Sequence, residues 1–229
     1  MVDVVTYNAA NNARKGTDII KSYQNTDSFN IDNFGESILN TTKWTQVNEN
    51  TGSTYIKTGY IELNTGDGAA GGTITYGNIA FDASDQVGVS SINDKTIMEF
   101  GFYPSGLGVN PGSISESNAN LFGMIPTSVA TGKGAANSAG LVVSGGIFNF
   151  LTNEGGTEEM TDVSSYIGWD SGCKIKLERS SGKWELFVNG ISRAEHETAV
   201  PECYYPIFGV RTGSGPLTIQ IRGYRMYYQ

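Results

Sequence analysis

Along most of this chain apolar and polar residues alternate at every second position, the period of a strand with one face in a core and the other in water. The pattern is clearest from Cys173 to His196, CKIKLERSSGKWELFVNGISRAEH. Ile175 and Leu177 alternate with Lys174, Lys176 and Glu178, and Ser180, Ser181 and Gly182 supply a turn. Trp184, Leu186 and Val188 then resume the alternation against Glu185 and Phe187. Asn189 and Gly190 follow, a pair that tolerates the positive φ a two-residue hairpin needs at both central positions. With Ile191 to His196 this predicts a three-strand meander whose Trp184 lies in the core.

The same signals predict strands at WTQV (44–47), TYIKTGYIEL (54–63), GTITYGNIAF (72–81), TIMEFGFYP (96–104) and LFGMIP (121–126). Further strands are predicted at GLVVSGGIFNFL (140–151), YYPIFGV (204–210) and LTIQIRGYRMYY (217–228), giving about a dozen in all. Gly59 predicts a bulge or bend, and Gly223 a bulge, because the alternation of Leu217, Ile219 and Ile221 changes phase there. Within 96–104, Met98, Phe100 and Phe102 should face the core, with Glu99 and Tyr103 outward. Thr127 to Ala139 reads as a small-residue loop and Glu154 to Ser165 as an acidic surface loop. Residues 1–39 lack a sustained period and read as a polar N-terminal extension, with a short helix at Thr17 to Tyr23. It is either a frayed terminus or an arm that orders on a neighbouring subunit. Residues 40–229 read as one domain.

Composition sharpens this picture. Thirty glycines against six prolines suit glycine turns between short strands and leave helix scarce. Strands without helices to cover a parallel sheet form a sandwich or a barrel, and we take the fold to be all-β with two packed antiparallel sheets. A net charge of -8 argues against partners held by their phosphates, nucleic acid and anionic membrane among them. No apolar run reaches the length of a membrane span, and the opening MVDVVTYNAANNARKG lacks the apolar core of a signal peptide, so export by the ordinary route is not expected. Cys173 and Cys203 flank the meander and could be brought together, but two cysteines define no disulfide framework and they read as buried free thiols.

KIKLERSSGKWELFVNG, supported by IMEFGFYPSG, LFGMI and IFGVRTGSGPLTIQIRGYRMYY, resembles the closing strands of the concanavalin A-like lectin and glucanase superfamily, laminin G-like modules included. That resemblance, over about residues 40–229, implies a jelly-roll sandwich. The superfamily's glucanases carry an Asp and two Glu at alternating positions of one strand, the close carboxylates that retaining hydrolysis needs. This chain departs from that pattern: it has no Glu-x-Asp or Asp-x-Glu, and 140–151 has no acidic residue. Glu195 and Glu197 could share a face but read as surface charge, and no catalytic residue is expected. His196, the sole histidine, leaves little material for a triad or a histidine metal cluster and reads as a solvated strand end. Gly66-Asp67-Gly68 and Gly106-Leu107-Gly108 sit between strands and read as turns rather than phosphate cradles.

Related modules often bind calcium through loop Asp and Asn, which makes Asp162 with Asp170, or Asp82 with Asp85, candidate ligands, although no spacing is specific and no cofactor is expected. A lectin-like site joins an aromatic face for the sugar ring to fixed polar groups for its hydroxyls. Its candidates here are Trp169, Tyr166 and Asp170 in SSYIGWDSG together with Tyr103, and further Tyr204 and Tyr205. Two functions follow. One is a non-enzymatic structural protein of a virion surface, a phage decoration, fibre or tail-associated subunit, homo-oligomeric and anchored on capsid or tail proteins through its N-terminal segment. The other is an extracellular carbohydrate-binding module without hydrolase activity. The two overlap where a virion protein binds host-surface glycans.

Overall fold

A computed structural model describes residues 31–32, 41–57, 59–66, 71–78, 95–105, 120–126, 136–180, 182–200, 205–211 and 217–228. They form fifteen strands: β1 (Ile31–Asp32), β2 (Trp44–Glu49), β3 (Ser53–Lys57), β4 (Tyr60–Asn64), β5 (Gly72–Gly77), β6 (Thr96–Ser105), β7 (Phe122–Ile125) and β8 (Ser138–Ser144), then β9 (Ile147–Glu154), β10 (Thr157–Asp162), β11 (Cys173–Ser180), β12 (Lys183–Val188), β13 (Ile191–Glu197), β14 (Tyr205–Arg211) and β15 (Thr218–Tyr228). A 3-10 turn at Ser164–Tyr166 is the one helical piece among the described residues. The predicted helix at 17–23 lies outside them.

The strands pair into two sheets. The eight-stranded sheet runs β13-β12-β11-β6-β15-β4-β3 with β1 added to β15, and the seven-stranded sheet runs β10-β9-β8-β7-β14-β5-β2. Every described pairing is antiparallel. The meander forms as the sequence predicts, with Asn189 and Gly190 both at positive φ in its second turn. β1 falls within the polar extension and pairs with Tyr224 and Arg225 of the same chain.

Alternation places Met98, Phe100, Phe102, Leu177, Trp184, Leu186, Phe208 and Ile221 in the core between the sheets. Aromatic rings run through it in edge and tilted contacts. Trp44 meets Phe208 at 5.8 Å and Tyr224 at 5.7 Å. Phe208 meets Phe100 at 5.3 Å, and Phe102 meets Phe122 at 5.0 Å and Phe148 at 6.0 Å. Each such pair contributes about 0.5–1.5 kcal/mol beyond the area it buries.

The outer faces of the two sheets differ. Ile74, Ile125, Val142, Leu151 and Ile207 alternate with core residues on the seven-stranded sheet, yet they too are buried, in a second apolar cluster. On the eight-stranded sheet the outward positions hold Glu62, Tyr103, Lys174 and Arg222, all reached by solvent.

Three predicted spans fold differently. TYIKTGYIEL is two strands, β3 and β4, joined by a turn at Gly59 (φ 86) rather than one bent strand. Residues 140–151 likewise split into β8 and β9 at Gly145 and Gly146, both at positive φ, and Ser138 and Ala139 of the expected loop belong to β8. The expected acidic loop contains β10, an exposed edge strand that pairs residue for residue with β9. In each case a glycine turn closes a hairpin that an unbroken apolar or polar run conceals.

Gly223 bulges β15 as predicted. Arg222 pairs with Gly101 and Tyr224 with Phe100, so Gly223 is an extra residue, at φ 48. The insertion sends Tyr224 and Met226 into the core, whereas an unbroken alternation from Ile221 would bury Arg225. Gly223→Val forces a β-branched residue into left-handed backbone and is expected to lower stability by about 2 kcal/mol, measured by denaturant unfolding.

Candidate functional site

The sequence-predicted site residues lie at the chain reversal before β11 and at the end of β6 that meets it. Asp170, at φ 57, is tied to β6 by three hydrogen bonds. Its N–H donates to the Pro104 carbonyl at 2.8 Å, its carbonyl accepts from the Tyr103 hydroxyl at 3.0 Å, and its carboxylate accepts from Ser105 at 3.1 Å. Tyr103 and Asp170 are thus brought together. Trp169 is half-buried, its ring 4.9 Å from that of Phe148, which makes it the outer end of the aromatic chain through the core. Tyr166 is exposed and has the Arg193 guanidinium 4.1 Å from its ring centre, a pairing with β13 rather than with Tyr103. Tyr205 packs against the second apolar cluster, while Tyr204 lies outside the described residues.

Beside Tyr103 the outer face of the eight-stranded sheet carries a constellation that the sequence reading missed. Gly101 has no side chain to fill the space over β6, where a Cβ would lie 3.1 Å from Arg222 Cβ. Arg222 lies there between two rings, its guanidinium 5.4 Å from Tyr60 and 5.9 Å from Tyr103, and donates to Gln220 Oε1 at 3.0 Å. Next to it an open depression of about 330 Å³ surrounds the Gly223 bulge, walled by Lys174, Arg222 and Arg225 with Glu99. In regular alternation Arg222 and Arg225 would point to opposite faces; the extra residue puts both on this one. The predicted bulge was the one signal that could have revealed them as neighbours.

Glu99 points outward as predicted but is only 7% exposed, because cations cover it. Arg225 Nε donates to its carboxylate at 2.5 Å and Lys174 approaches at 3.2 Å. Burial pushes the Glu99 carboxyl up, and Arg225 and Lys174 together outweigh this and hold it below the usual carboxylate range. Tyr227, under the Arg225 guanidinium, is pushed up to about 12 by burial and by Glu99. Glu178, also buried, is paired with Lys95 and Lys176 and is likewise held low against the effect of burial. A general acid needs a carboxyl raised toward neutrality, and these two are moved the other way.

His196 is not the solvated strand end that its position suggested. It is 1% exposed, stacks on Phe150 at 4.5 Å, and faces Thr152 at 2.9 Å through Nδ1 and Thr161 at 3.0 Å through Nε2. Those partners stand on β9 and β10, so the imidazole bolts β13 to the opposite sheet. The ring is thereby closed off from solvent. Glu195 and Glu197 are exposed, and Glu195 pairs with Lys183 at 2.5 Å.

Among the described residues no group of three or more His, Cys, Asp or Glu could hold a metal ion. Asp162 accepts from the Ser164 N–H at 2.8 Å, while Asp82 and Asp85 lie outside the described residues. Cys173 is a free thiol, half-buried and pushed up to about 11 by that burial; Cys203 lies outside the described residues. No helix among the described residues is long and apolar enough to cross a membrane.

With this geometry in view, the fold has clear parallels. The carbohydrate recognition domain of Emp47p is similar with a TM-score of 0.54 at 13% identity, covering 88% of this chain and 98% of that one. The lumenal domain of VIP36, in its Ca2+/Man3GlcNAc-bound form, is similar with a TM-score of 0.54 at 12% identity, covering 86% and 90%. An endo-beta-1,3-glucanase from Pyrococcus furiosus is similar with a TM-score of 0.51 at 11% identity, covering 86% and 93%. The chain therefore has the concanavalin A-like lectin jelly roll, a fold that serves both binding proteins and glucanases. The sequence matches no protein-family model and no curated protein.

Two outcomes test this description. Burial pushes the His196 pKa below its ordinary 6.5, with Glu159 opposing at 4.0 Å. The unfolded chain then takes up the proton first as pH falls, so this share of stability is full above 6.5 and is lost progressively below it, toward the folded pKa. The melting temperature should fall between about pH 7 and pH 5, and His196→Gln should flatten that slope. Trp169→Ala removes the end of the aromatic chain and is expected to lower stability by about 2 kcal/mol in denaturant unfolding.

Proposed function

We propose that this protein is a carbohydrate-binding jelly roll without hydrolase activity, and that it binds sugar on the outer face of its eight-stranded sheet. The observation that carries this reading is the pair of half-buried tyrosines, Tyr60 and Tyr103, held on either side of Arg222 beside an open depression. Aromatic faces pack on the apolar side of a sugar ring, and the fixed donors and acceptors around them orient hydroxyls. Asp170 holds Tyr103 in place through its carbonyl, and Ser105 and the Asp170 carboxylate extend the polar rim. Trp169 supports the loop that carries Asp170, and Tyr166 with Arg193 offers a second aromatic position toward β13. The shared fold with a carbohydrate recognition domain adds support. The pairing of Glu99 and Glu178 with cations, rather than with each other, favours binding over hydrolysis.

The carbohydrate-binding reading is preferred to the structural one because it is supported both by the shared fold with a carbohydrate recognition domain and by the aromatic and polar groups gathered at Arg222. Attachment would draw on the N-terminal segment and sugar binding on the sheet face, and the two meet where β1 pairs with Tyr224 and Arg225. The two readings overlap where a virion-surface protein binds host glycans.

On a glycan array the protein should give discrete hits. Tyr103→Ala should weaken them by about tenfold, or about 1.4 kcal/mol, with little change in melting temperature. A blank array at high protein concentration overturns the reading.

A further inference from the structure

From the charge pattern around the Gly223 bulge we infer that the depression selects an acidic saccharide, one bearing a carboxylate or a sulfate ester; this rests on the carbohydrate-binding reading. The chain as a whole carries a net charge of -8, yet three cations, Lys174, Arg222 and Arg225, line this depression against the single carboxylate of Glu99. Glu99 lies beneath two of those cations and presents almost no charge to solvent. Arg225 and Lys174 keep side-chain exposures of 53% and 56%, so both retain donors that face water.

Arg222 is the more telling group. It is exposed, and among the described residues it has no carboxylate partner; Glu62, on the neighbouring strand, engages Gln220 at 3.4 Å instead. Its guanidinium is oriented by the two tyrosine rings and by Gln220. A guanidinium with free N–H groups matches two oxygens of a carboxylate or sulfate at once, a geometry that single hydroxyls do not fill. The rings flanking Arg222 then meet the sugar while its fork meets the acid. A neutral sugar would use the rings and leave the excess positive charge unanswered.

The test is an array printed with matched pairs: oligogalacturonides beside their methyl esters, sialylated beside desialylated oligosaccharides, and dextran sulfate beside dextran. The full chain should bind one or more acidic members at least about tenfold more tightly than the neutral counterpart, with affinity falling as salt is raised. The pair that responds identifies carboxylate or sulfate as the acid. Arg222→Gln should abolish the preference while the melting temperature holds, Arg222→Lys should restore part of it, and Lys174→Gln, at a more exposed position, should reduce it. Equal binding of charged and neutral members, or a preference that survives Arg222→Gln, overturns the inference and leaves the carbohydrate-binding reading standing. A wholly blank array overturns both.

Discussion

The phase of β15 governs both the core and the surface of this sandwich. This strand lies inside the eight-stranded sheet, bonded along its length to β6, on its other side to β4 and, past the bulge, to β1. Before Gly223 its core residues are Ile219 and Ile221; after it they are Tyr224 and Met226. Strict alternation would have turned Arg225 into the core opposite Met98, where a buried guanidinium would need a partner that the surrounding apolar side chains cannot supply. One extra residue, in a backbone conformation that glycine adopts without strain, resolves the conflict and brings Arg222 and Arg225 to one side.

That local event matters because the two sheets use their outer faces so differently. The seven-stranded sheet buries a second apolar cluster on its outer side, with Ile74, Val142, Leu151 and Ile207 away from the main core. Lys174, Arg222 and Arg225 collect with Tyr60 and Tyr103 on the outer face of the eight-stranded sheet, with the depression at its bulge. The proposed binding face therefore lies on the sheet that contains β15.

Two buried ionisable groups show how the interior and the surface handle charge. Glu99 stays ionised because Arg225 and Lys174 supply more stabilisation than burial removes. His196, between the sheets, has threonine hydroxyls and a phenylalanine ring around it and is favoured in its neutral form. The first arrangement keeps cations assembled at the surface. The second joins the edges of the two sheets without placing a charge inside.

Period and turn chemistry alone determined the all-β class, the meander from Cys173 to His196, the core positions Trp184, Phe100 and Phe102, and the bulge at Gly223, since each depends on neighbours in the chain. Hairpins hidden in continuous runs, at Gly59 and at Gly145-Gly146, escaped that reading because a glycine in a strand and a glycine in a turn look alike along one dimension. Tyr103 and Asp170 were legible as candidates, but their hydrogen bond joins residues far apart in sequence and only the folded sheet could bring them together. The burial of His196 and the gathering of Glu99, Lys174, Arg222 and Arg225 were decided by tertiary structure for the same reason. Which strands become neighbours, and which sheet edge covers which side chain, depends on pairing across the whole chain, and no local pattern carries that information.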